Sequence, residues 1–135
     1  MKRLLLILAL TACSSNETAI SSMNFLLEPM DPECAVASVD AIEGYELRDV
    51  QIAERRSIAT FDAGPVPDLK LIVSNPRRGA SEASVFVYPE ADADPLQRRI
   101  ARMAVRAADE AIYVNCTVDG RSDDRSTVIV ESQKE

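Results

Sequence analysis

Two short runs, Leu69-Lys70-Leu71-Ile72-Val73-Ser74 and Ala83-Ser84-Val85-Phe86-Val87-Tyr88, carry the β-branched and aromatic residues that strands favour. Asn75-Pro76-Arg77-Arg78-Gly79-Ala80-Ser81 between them is rich in turn formers, so the runs are expected to pair antiparallel. From Tyr45 to Phe61 the pattern is again β-like: Tyr45 and Leu47 alternate, then Val50 and Ile52 fall out of phase, which predicts a bulge or a break between two strands. Gly64-Pro65-Val66-Pro67 ends that element, and Thr127-Val128-Ile129-Val130 reads as a terminal strand after a turn at Asp119-Gly120.

Helical spacing appears twice, each time behind an aspartate and a proline. Asp31-Pro32 offers an N-cap and a proline at the first helical position, Val36, Val39 and Ile42 follow at helical intervals, and Gly44 supplies a stop. Asp94-Pro95 repeats the signature and opens the main helix, whose apolar stripe is expected to be Leu96, Ile100, Met103, Ala107 and Ala111. The helix ends between Ala111 and Cys116; Tyr113 and Val114 either continue the stripe or begin a strand. Met23-Asn24-Phe25-Leu26-Leu27 is an apolar patch, either an edge strand packed on the core or an exposed docking segment. No internal repeat is present. The expected fold is α+β, a small, mainly antiparallel sheet with one or two helices on one face.

The start of the chain has a different logic. Met1-Lys2-Arg3 is basic, and Leu4 to Leu10 forms an apolar run too short for a membrane-spanning helix, which needs about 20 residues. A basic start, an apolar stretch and small residues at the exit make the pattern of a secretory signal. The exit, Leu10-Thr11-Ala12-Cys13, resembles the lipobox of bacterial lipoproteins. The resemblance implies that residues 1–12 are removed and that Cys13, whose thiolate takes a diacylglyceryl group, becomes the acylated N-terminus. Ser14 rather than Asp after the cysteine implies, by the same resemblance, export to the outer membrane, with the chain facing the periplasm. Two or more acyl chains make such an anchor effectively permanent. The expected organisation is then signal peptide 1–12, lipidated Cys13 and a Ser-rich flexible tether through residue 22, and one domain over 23–135.

Processing changes the charge. Removing Lys2 and Arg3 from the 15 basic residues leaves 13 against 22 acidic ones, so the net charge moves from −7 to −9. An acidic chain is a poor nucleic-acid partner, because phosphate binding needs clustered positive charge. The 123 residues left from 135 fit one domain. Cys34 and Cys116 remain as a pair in an oxidising compartment; a structural disulfide is the favoured reading, with a free or redox-active thiol pair as alternative.

The absence of His excludes Ser–His and Cys–His nucleophiles and His metal ligation. Lys70 and Lys134, the mature lysines, stand in no Ser-x-x-Lys motif. Glu90, Asp92 and Asp94 alternate like half a calcium loop, but Pro95 and Ala101 occupy the positions where an EF-hand needs Gly and Glu. No metal, cofactor or catalytic residue is expected. Arg98, Arg102 and Arg106, four residues apart, share one helix face, with Arg99 alongside. They form either a solvated face balanced by Asp109 and Glu110 or an anion- or partner-binding surface. Arg55-Arg56 and Arg77-Arg78 are further basic pairs. The expectation is an envelope lipoprotein whose non-catalytic domain binds or positions a protein partner. The alternative is a module for a small anionic or envelope-derived ligand, held by the helix arginines.

Overall fold

The computed structural model describes residues 17–26, 29–116 and 126–134. The elements are β1 (Glu17–Leu26), α1 (Pro32–Asp40), β2 (Tyr45–Gln51), β3 (Arg56–Ala63), β4 (Val66–Ser74), β5 (Ser81–Val87), α2 (Pro95–Cys116) and β6 (Ser126–Lys134). The strands form one antiparallel sheet in the order β2-β3-β4-β5-β1-β6. Both helices cover the same face, α2 over β1, β5 and β4 and α1 over β2, β3 and β4. This is the α+β architecture the residue pattern predicts, with its two helices and a bond between Cys34 and Cys116.

Strand alternation builds the core. Ala59, Phe61 and Ala63 of β3, Leu69, Leu71 and Val73 of β4, and Ala83, Val85 and Val87 of β5 turn toward the helices and are buried. Ala35, Val36 and Val39 of α1 meet them from above, with Ala101, Val105, Ala108 and Ile112 of α2. Both cap signatures are realised. Asp31 accepts from Glu33 N–H at 3.0 Å, and Asp94 and Gln97 exchange side-chain and backbone bonds at 2.8 and 2.9 Å, a capping box that fixes the start of α2.

The predicted break in the Tyr45–Phe61 segment is present twice over. The register slips between Leu47 and Asp49, and the chain then leaves the sheet before β3. Gly64 turns at φ 59° between β3 and β4, so the sequence read as a terminator is a hairpin, and β4 begins at Val66 rather than Leu69.

Three expectations need correcting. The segment read as tether is strand from Glu17 onward. Its backbone is claimed on both sides, by β5 and by β6, and Ile20 and Ser22 lie on the buried face despite the serines around them. Met23 to Leu26 of the apolar patch belong to the same strand, which is therefore interior to the sheet and not at its edge; Leu27 lies outside the described residues. Most consequential is the face of α2. Leu96 and Met103 are exposed, as is Ala107, while Ala101, Ala104, Val105, Ala108 and Ile112 are buried. The helix carries two apolar stripes, and the alanine-rich one faces inward because small side chains let α2 lie close to the sheet and to α1. Tyr113 and Val114 belong to the helix, which continues to Cys116. The turn at Asp119-Gly120 lies outside the described residues.

Tyr45 ties β2 to α2. Its hydroxyl donates to the Ala104 carbonyl at 2.7 Å, and burial pushes its phenol above the ordinary value. Tyr45→Phe is expected to cost about 1 kcal/mol, the net worth of one such bond. The raised pKa gives the pH sign: the neutral phenol is favoured in the folded state, so this contribution is intact below the ordinary value of 10.0 and declines above it. Urea titrations of both chains across pH 8 to 11 check this; the gap between them should narrow at the alkaline end.

Candidate functional site

Cys34 and Cys116 link the first turn of α1 to the last residue of α2, with Cα atoms 5.8 Å apart and a sequence separation of 82. Ser38 sits within 3.2 Å of the Cys116 sulfur and donates to the Cys34 carbonyl at 2.8 Å. The pair is thus joined as a disulfide. Cys13 lies outside the described residues.

The outward face of α2 is the most exposed apolar surface described. Leu96, Met103 and Val114 are 64%, 61% and 64% exposed. At 3.6 residues per turn, these three and Ala107 fall within roughly 40° of arc. Ile100 and Ala111, both half-buried, border the line. The resulting steps from Leu96 through Ile100, Met103 and Ala107 are four, three and four residues, the spacing of a helix-pairing seam; the next step of three falls on Glu110, and Val114 follows one heptad beyond Ala107.

Arginines flank one side of this seam. Arg99 and Arg106 are exposed, and neither makes an ion pair among the described residues. Arg98 and Arg102 are half-buried, farther round the same flank. Arg98, Arg102 and Arg106 do share a helix flank, but they are strung over about 12 Å of axis. Arg55-Arg56 and Arg77-Arg78 lie elsewhere. The Asn75 N–H donates to the Arg55 carbonyl at 2.8 Å and Arg56 pairs with Ser74, so these four gather at the sheet end where β4 turns into β5. Arg48 is used internally: it binds Asp68 at 2.7 Å and Asp62 at 3.3 Å, and those carboxylates hold the guanidinium above its ordinary pKa.

Two other surfaces were open to consideration. The uncovered face of the sheet carries Ile58, Ile72, Phe86 and Tyr88 around Lys70, whose ammonium donates to Thr60 at 2.7 Å. Phe86 and Tyr88 meet edge to face at 5.9 Å, and Ile58, Ile72 and Phe86 shield one another to half-burial. A cleft of about 260 Å³ lies between Pro65, Pro67, Tyr88, Pro89 and the first turns of α2. Its polar groups come from Tyr88, Glu90 and Gln97, and it is lined by no cation.

Among the described residues no three His, Cys, Asp or Glu side chains converge on a point that could hold a metal. No described helix is long and apolar enough to cross a membrane. Sequence reading found the arginine flank and the cysteine pair. It missed the outward seam, although the seam's residues were in view, because it took them for the inner face. No protein-family model matches the chain, and no curated protein or solved structure is similar enough to count as a match.

Proposed function

We propose that this chain is a bacterial envelope lipoprotein, held through acylated Cys13 in the outer membrane and facing the periplasm, whose non-catalytic domain binds or positions a protein partner. The observation that carries this reading is the Cys34–Cys116 bond. It suits an oxidising compartment, and it accounts for every cysteine except Cys13, the one that stands at the end of a lipobox. The seam on α2 supports a protein partner over a small ligand, since an elongated apolar line suits another protein's surface better than a compact anion. The alternative reading, a small-anion module using Arg98, Arg102 and Arg106, has less support: neither cleft described above is lined by any of the three.

The test is crosslinking in native cells followed by purification of the membrane-extracted chain. The expected result is a stoichiometric envelope protein that is lost when Cys13→Ser releases the domain from the membrane. Recovery of an anchored chain with nothing attached, together with phosphate-competed binding lost in Arg102→Glu, would favour the small-anion reading instead.

A further inference from the structure

Building on the partner-binding reading, we infer that the outward face of α2 is a docking seam for one amphipathic helix of another protein, apolar along its own seam and acidic along its flank. The apolar part of the argument is the alignment of Leu96, Met103 and Val114, each more than 60% exposed, with Ala107 between them and Ile100 at the border. Isolated exposed apolar residues need no explanation, but a heptad-spaced line along one helix does. A facing helix of the same spacing covers such a line by seating its side chains between these.

Charge selects the occupant. In coiled-coil geometry Arg99 and Arg106 take equivalent flanking positions one heptad apart, where residues reach across to the partner. A second copy of this chain docked antiparallel would bring Arg99 and Arg106 against the same arginines. Docked parallel, they would meet Ala104 and Ala111. Neither arrangement sets a carboxylate opposite these guanidiniums, whereas an acidic flank supplies one for each. Glu110 occupies the seam step between Ala107 and Val114 and already has a partner of its own, so the apolar contact is carried by Leu96, Ile100, Met103 and Ala107.

Geometry disfavours a lipid surface as the occupant. Strand β1 begins at Glu17, and its partner register sets Ile20 beside Val87, at the sheet end from which α2 departs. Only Ser14, Ser15 and Asn16 separate Glu17 from Cys13, a link of about 14 Å at full extension. Cys116, bonded to Cys34 behind the other end of β1, marks the opposite end of α2. If Cys13 is the anchor, the start of α2 is the end nearest the membrane, and the far end of the seam lies up to about 33 Å of helix away from it. A helix that inserts in the interface lies in its plane instead.

The probe is a fluorescein-labelled three-heptad peptide with leucine at the seam positions and glutamate on both flanks, compared by anisotropy with its lysine counterpart. The titrated protein is the full membrane-extracted chain. The glutamate peptide should bind at least tenfold tighter than the lysine peptide, R99E/R106E should reverse the order, and M103E should abolish both while leaving the thermal midpoint unchanged. Equal binding of the two peptides, or binding that survives M103E, overturns the inference. A dimer in sedimentation equilibrium that M103E dissolves overturns it in favour of a second copy. Vesicle binding by the Cys13→Ser chain that M103E removes overturns it in favour of lipid. A chain found unacylated at Cys13 would refute the anchor reading and leave the peptide result standing.

Discussion

Replacing Cys34 and Cys116 together by serine is expected to lower the unfolding free energy by about 4 kcal/mol. The bond closes a loop spanning 82 residues, and the chain-entropy argument for a loop of that length gives roughly 4–5 kcal/mol at room temperature, most of it through the unfolded state. Small domains are stable by only about 5–15 kcal/mol, so the double variant retains a thin margin. The native contacts add a local effect. Cys116 is the last residue of α2 and Cys34 sits in the first turn of α1, so the variant also releases the end of α2, which should exchange its amide protons faster than the middle of the helix. Urea unfolding of the oxidised and serine forms measures the difference, and a change below 1 kcal/mol would mean that the reduced chain is already constrained by other means.

Phe61→Ala is expected to cost about 3–5 kcal/mol. Phe61 is the largest fully buried side chain, paired across the sheet with Leu69 on β4 and Leu47 on β2. Around it the core is built of Val, Leu, Ile and Ala; the other two phenylalanines of the chain, Phe25 and Phe86, lie outside it. The nearby ring of Tyr45 is tethered through its hydroxyl to Ala104, and strands hydrogen-bonded on both sides cannot close over the space, so most of the cavity persists. Phe61→Leu keeps much of the volume and should cost less than half as much. Urea midpoints for the pair separate lost volume from general disruption: equal losses would show that the aromatic shape, not the cavity, governs the site.

What the amino-acid pattern revealed follows from where its signals were local. The Asp-Pro openings of α1 and α2 work through one or two hydrogen bonds within three residues, and both are present as expected. The Leu69–Tyr88 pair was legible because its strands alternate and a turn-rich segment joins them. Strand β1 was not, since Ser21 and Ser22 interrupt its apolar character; what makes it a strand is backbone pairing with β5 and β6, more than 50 and 100 residues away in the chain. The Ser22 hydroxyl is buried with no hydrogen-bond partner among the described residues, which no local rule anticipates.

The face of α2 failed for a different reason. Leu96, Ile100, Met103, Ala107 and Ala111 form a proper helical stripe, and so do Ala101, Ala104, Val105, Ala108 and Ile112. Hydrophobicity ranks the first higher. Close packing against two layers at once ranks the second higher, and packing decides. The surplus stripe is what makes α2 interesting as a surface.

Compartment and orientation follow from Cys13, and intact mass spectrometry of the chain extracted from membranes tests its role most directly. The expected species is a polypeptide that begins at Cys13, lacks residues 1–12, carries acyl mass on its first residue, and retains the Cys34–Cys116 bond. A chain that still begins at Met1, or one recovered from the aqueous fraction with an unmodified Cys13, would contradict it.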